Sequence, residues 1–114
     1  KNLRSINKQY KEAKLQLDSL TEHSPPGRVK IADIRDDQSY LQGHIDSAVH
    51  LHESNLQEFI EGAELDAPLL VYCYHGHMSE DSAAYLAEQG FSDTYNLDGG
   101  FAAWRLHCWI FSIA

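Results

Sequence analysis

The segment VYCYHGHMSEDSAAYL, residues 71–86, closes an apolar run at Cys73, passes through a short loop containing Gly76, and enters a helical pattern near Ser79. A cysteine so placed is surrounded by loop N–H groups and faces the positive end of a helix dipole, and both favour the thiolate. An ordinary thiol of pKa about 8.5 is roughly 3% ionised at pH 7. Lowering the pKa to about 6.5 makes it roughly 75% ionised, a gain of roughly 25-fold in nucleophile. Gly76 lets the loop curl with no side chain in the way of an approaching group. Cys73 at a strand end equally fits a small buried hydrophobe, and the local sequence leaves both readings open.

Two other chemistries are tested by the same residues. Phosphoryl transfer through a cysteine needs Cys-x5-Arg, because a guanidinium clamps the phosphate oxygens; the sixth position after Cys73 is Ser79, which argues against it. Cys73, His75 and His77 with His50 and His52 offer zinc ligands, but Cys-x-His-x-His is not a common structural-zinc spacing. The loop from Tyr74 to Ser79 holds no Arg or Lys. An anion there would depend on backbone N–H groups, the helix dipole and partial protonation of His75 and His77. Glu80 and Asp81 favour the start of the helix and compete with an anion for its dipole.

These residues need elements to hold them. Leu3 to Ile6 reads as a short extended piece, and Asn7 can cap a helix with Tyr10, Ala13, Leu17 and Leu20 at helical spacing. Pro25, Pro26 and Gly27 place a loop at 21–28. A β-type run spans 29–34, a polar helix 36–42 ends at Gly43, and a short strand covers 48–51. Helical spacing at 53–61 stops at Gly62. LLVYC, 69–73, is the uninterrupted apolar run expected of a buried parallel strand. A helix over 79–89 stops at Gly90, a last strand covers 94–97, Gly99 and Gly100 turn the chain, and 101–107 reads as helical. Strands alternating with helices predict an open parallel α/β sheet of about five strands, flanked by helices on both faces. In such sheets ligands bind beyond the strand ends, which is where Cys73 stands.

Composition bounds the partners. The 114 residues are 43% hydrophobic, with 17 acidic and 9 basic side chains, the size and balance of one soluble domain. No apolar run reaches the ~20 residues of a membrane span, and Lys1 opens neither a signal peptide nor a natural start. Residues 1–35 carry eight basic and four acidic side chains; residues 36–114 carry Arg105 alone against thirteen acids. A surface of net −12 repels phosphate backbones, so no nucleic acid and no membrane partner is expected. Two cysteines, Cys73 and Cys108, make no disulfide scaffold, and a reducing, cytoplasmic setting is the default.

DIRDDQSYLQGHIDSAVHL (33–51), CYHGHMS (73–79) and LDGGFAAW (97–104) resemble, in order and spacing, the three signature regions of the rhodanese-like sulfurtransferases, closest to their single-domain thiosulfate-using members. SINKQYKEAKL fits that family's first strand and helix, so the resemblance covers about residues 4–105. It implies one domain over 1–114, with 106–114 an apolar tail of unassigned role. It implies a persulfide on Cys73, with sulfur passing from thiosulfate to cyanide or a thiol, including a protein thiol such as thioredoxin, and no metal or organic cofactor. The backbone of Tyr74, His75, Gly76, His77, Met78 and Ser79 would hold the anionic sulfur. Asp33, Arg35 and His44 match the Asp-x-Arg and Gly-His elements and are read as structural supports, the alternatives being substrate contact for Asp33 and Arg35 and a catalytic base for His44. Phe101 and Trp104 read as core, and Cys108 takes no role. Many relatives place Arg, Thr or Ser where this chain has Met78. The alternative reading is a non-catalytic module for protein interaction or sulfur carriage.

Overall fold

The computed structural model describes residues 11–14, 20, 22 and 27–113, with side chains described at 20, 22 and 27–106. Among them one parallel sheet contains β1 (Lys11–Lys14), β2 (Lys30–Asp33), β3 (Val49–His50), β4 (Leu69–Tyr72) and β5 (Thr94–Asp98), in the order β1-β5-β4-β2-β3. The helices are α1 (Asp37–Gln42), α2 (Leu56–Glu61), α3 (Met78–Glu88) and α4 (Gly100–Ile113). This is the expected parallel α/β sheet.

The central strand explains the layers. All four β4 residues are fully buried, and the twofold period of a strand sends them to opposite faces. Leu70 and Tyr72 join Ile31, Leu97 and Phe101, whereas Leu69 and Val71 join Ala32, Ala83 and Leu86. Burying each such side chain contributes about 1.5–3 kcal/mol, which is why an apolar run with no polar alternation settles between two helical layers.

Two expectations are corrected. The helix read over residues 7–20 is contradicted at Lys11–Lys14, which pairs in parallel with β5, Lys11 opposite Tyr95 and Lys14 opposite Asp98. The free edge of β5 satisfies the backbone groups of that segment, and long-range pairing of this kind overrides a helical pattern carried by few apolar residues. Lysine is an ordinary guard on a sheet edge. The extended piece at 3–6 lies outside the described residues, as does most of the 21–28 loop. The last helix runs past 107 to Ile113, so its backbone takes in Cys108 and all but the end of the apolar tail.

A polar knot ties the top of the sheet together. Asp33, at the end of β2, is fully buried and pairs with Arg35 at 2.7 Å, Arg35 donating from both Nε and Nη2. Tyr72 on β4 donates its hydroxyl to Asp33 at 2.6 Å and accepts from the Ile45 N–H. Arg35 Nη2 also donates to the Gly43 carbonyl at 2.6 Å. The chain entering β3 is thereby fastened to β2 and β4. Burial pushes the Asp33 carboxyl up, but the bonds from Arg35 and Tyr72 outweigh it and hold the group below the usual carboxylate range. Burial and the Asp33 carboxylate push the Tyr72 phenol well above its ordinary value, so it stays a neutral donor. His44 stacks on Tyr40 at 3.8 Å and donates from Nδ1 to the Tyr40 carbonyl. The Asp36 side chain accepts from the Ser39 N–H and caps α1.

Removing Asp33 leaves Arg35 buried without a counter-charge, so Asp33→Ala is expected to destabilise the fold by about 3–5 kcal/mol at neutral pH. Because the folded carboxyl titrates low, its contribution is fully present above the unfolded value of about 3.9 and is lost as pH falls through the folded one. Urea midpoints of parent and variant should therefore differ widely at pH 7 and converge in acid; equal midpoints at pH 7 would contradict this account.

Candidate active site

All strands point the same way, so the ends of β2, β4 and β5 share one edge. The chain reverses its direction across the sheet between β2 and β4, and Cys73 leaves β4 beside that crevice, where open α/β sheets bind ligands. Cys73 is 4% exposed. Its sulfur accepts the Gly76 N–H at 3.2 Å and the Ser79 N–H at 3.3 Å. Tyr74, His75, His77 and Met78 turn their side chains outward, while Gly76 and Ser79 are buried. The loop is a cradle of backbone around one sulfur atom.

Its curl has local causes. Gly76 has φ 93°, and a Cβ there would stand 3.0 Å from both the Gly99 nitrogen and the Leu97 carbonyl oxygen. Gly100 has φ 62°, and a Cβ there would fall 2.6 Å from the carbonyl oxygens of Cys73 and Tyr74. Those carbonyls accept the Phe101 and Ala102 N–H groups, both at 2.9 Å. The first turn of α4 therefore clasps the reactive loop, and this is what the paired glycines permit.

Asn96 is the residue the sequence reading missed. It lies 1% exposed on β5, donates from Nδ2 to the Gly76 carbonyl at 3.1 Å, and accepts the Ser79 hydroxyl on Oδ1. One side chain thus fixes both residues whose N–H groups face the sulfur. The sequence carries no distinct signal for it, since Thr94 and Asp98 in the same strand are polar too.

The electrostatic balance favours the thiolate. Burial alone raises the Cys73 pKa, yet the Ser79 hydroxyl and the N–H groups of Ser79, Gly76 and His75 bring it below the ordinary thiol value. The single proton of the Ser79 hydroxyl is donated to Asn96 Oδ1, so the hydrogen bonds on the sulfur itself come from the backbone N–H groups. The N-terminal turn of α3 adds its dipole on the same side. Among the described residues no three His, Cys, Asp or Glu side chains come together to hold a metal ion. His50 instead donates from Nε2 to the Arg35 carbonyl at 2.6 Å.

The sequence-predicted residues divide accordingly. Cys73 and the 74–79 loop form the site, and Asp33 and Arg35 form the knot beneath it. His44 packs on Tyr40 of α1 and makes no hydrogen bond to Cys73 or the 74–79 loop among the described residues. Phe101 is buried and Trp104 stacks on it at 5.6 Å. Met78, 72% exposed, stands where the loop meets an apolar groove of about 400 Å3 that also takes in Leu56 and Tyr85.

A parallel α/β sheet with an amide-cradled cysteine after its central strand marks out a structural class, and comparison with known proteins narrows it. The family described as the Rhodanese-like domain matches residues 16–107. The thiosulfate sulfurtransferase GlpE of Shewanella oneidensis is 50% identical over 91 residues, spanning 80% of this chain and 90% of that protein. The GlpE of Ectopseudomonas mendocina is 57% identical over 75 residues, spanning 66% of this chain and 69% of that protein. Among solved structures, a rhodanese-like domain protein from Staphylococcus aureus superposes with a TM-score of 0.68 at 25% identity, covering 82% of this chain and 90% of that one. The chain belongs to the rhodanese-like domain family.

Alkylation of Cys73 by iodoacetamide, followed against pH, should give an ionisation midpoint below the ~8.5 of an ordinary thiol. Asn96→Ala should move that midpoint upward and slow alkylation at pH 7 several-fold, because the loop amides lose their orientation. A midpoint unchanged by the substitution would show that Asn96 does not hold the cradle.

Proposed function

We propose that this chain is a thiosulfate sulfurtransferase that carries sulfur as a persulfide on Cys73. The observation that carries the reading is the sulfur cradle, in which Gly76 and Ser79 aim their N–H groups at Cys73. Its support is the sequence identity of 50% and 57% to relatives named thiosulfate sulfurtransferase.

In the first half-reaction the Cys73 thiolate attacks the outer sulfur of thiosulfate. A sulfur–sulfur bond forms, the bond to the sulfonate sulfur breaks, and sulfite leaves with the electron pair. The terminal persulfide sulfur now bears the negative charge, and the N–H groups of the 74–79 loop are placed to receive it. In the second half-reaction a thiophilic acceptor attacks that terminal sulfur. Cyanide leaves as thiocyanate, or a thiolate leaves as its own persulfide, and the Cys73 thiolate returns. Neither half consumes or releases a proton when donor and acceptor are ionised, so backbone donors suffice where other cysteine enzymes need a general base.

A protein thiol such as thioredoxin fits as physiological acceptor, and the cytoplasm fits as the compartment, since a thiol nucleophile must stay reduced between turnovers. No helix among the described residues is long and apolar enough to cross a membrane. Asp33 and the Nε and Nη2 donors of Arg35 serve the fold in this reading. Residues 1–114 act as one domain.

Incubation with thiosulfate, removal of excess donor and intact-mass measurement should give a gain of one sulfur atom, discharged by cyanide. Cys73→Ser should give none while keeping the parent's circular dichroism. No gain on the parent from thiosulfate or any other sulfane donor would favour a binding module.

A further inference from the structure

Arg35 has donors left over. Its Nε and Nη2 are taken up by Asp33 and the Gly43 carbonyl, whereas no hydrogen bond among the described residues uses Nη1. The side chain is 5% exposed, and its guanidinium lies 4.1 Å over the Phe101 ring, which fixes the plane of the fork. It lines a polar cavity of about 190 Å3 together with Arg105, Tyr74, Gln42 and Phe101.

Arg105 reaches this cavity because α4 places it four residues after Phe101, on the same helix face. It is exposed, and no hydrogen bond or ion pair engages it among the described residues. It is also the only lysine or arginine after position 35. Asp33 neutralises Arg35 from below, so Arg105 brings the uncompensated charge, and no Asp or Glu lines the cavity. A chain whose last 79 residues are net −12 has brought its one cation there to a second guanidinium. That arrangement is unfavourable by itself and favourable around an anion.

We infer that Arg35 Nη1 and Arg105 form an anion subsite beside the reactive loop, which takes a compact sulfur oxyanion through the three-oxygen face shared by thiosulfate and sulfite. The volume is below the ~300 Å3 at which clefts for larger organic ligands begin. Tyr74, the residue next to Cys73, forms one wall, so the subsite adjoins the loop across a single side chain. It supplies the local positive charge that the 74–79 loop lacks. Anion binding here stands without the sulfurtransferase reading, but identifying the ion as donor or product rests on it.

The test uses the full chain carrying Cys73→Ser, which cannot react, titrated calorimetrically with sulfite at fixed ionic strength. Arg105→Gln in that background should weaken sulfite binding at least fivefold, and Arg105→Lys should recover part of it. Lys30→Gln, which removes the same charge at the far end of β2, should leave it unchanged. With Cys73 intact, initial rates separate the sources: a donor subsite raises the KM for thiosulfate in Arg105→Gln with kcat kept, and a product subsite raises the inhibition constant for sulfite with KM kept. Sulfite affinity, KM and inhibition constant all unchanged in Arg105→Gln would overturn the inference, as would an equal loss of affinity in Lys30→Gln. Persulfide formation by mass, read separately, decides whether the sulfurtransferase reading stands.

Discussion

A sulfur anion buried at the end of a parallel strand has little water around it, so the chain's own N–H groups must solvate it. The remaining features of this site follow from that requirement. Two amides can face one sulfur only if the loop curls within six residues, and that curl needs Gly76 at positive φ, close against the β5–α4 turn. The turn can come so close only because Gly100 lacks a side chain, while Gly99 leaves room for Ala103 in the first turn of α4. Asn96 then takes up the polar groups the curl would otherwise strand, the Gly76 carbonyl and the Ser79 hydroxyl. A loose loop would lose the amides' orientation, and with it the advantage over burial that favours the thiolate.

Charge is handled at two ranges. At contact range Asp33, Arg35 and Tyr72 are joined by hydrogen bonds through Nε and Nη2 of Arg35, and a buried ion pair of this kind is worth most as a geometric lock. It sets the ends of β2 and β4 in register at the crevice where the loop sits. At longer range the acidic segment after position 35 disfavours any incoming anion. Backbone amides oppose this without adding formal charge, and Arg105 does so with it.

The sheet and its layers were legible because their signals are composite. LLVYC has no polar interruption, Asp36 precedes a polar helix, and Gly43, Gly62 and Gly90 stop helices, so several cues agree at each place. β1 was not legible, since KEAK carries no strand pattern of its own and takes its conformation from the edge of β5. Cys73 and its loop could be found from one stretch of chain. Asn96 and Arg105 could not, because their roles depend on which residues the fold brings opposite them: Gly76 and Ser79 for the first, Arg35 for the second. Within a segment, spacing reveals chemistry; between segments, topology decides it.

The central claim is that the Gly76 and Ser79 amides, and not a side-chain cation, hold the sulfur anion. The most direct measurement is the chemical shift of those two amide protons across a pH titration of the reduced protein, repeated after persulfide formation. The account predicts that both resonances move together, with one midpoint that matches the ionisation of Cys73, and that both are displaced again when the outer sulfur is loaded. Amide resonances that ignore the ionisation of Cys73 would contradict it.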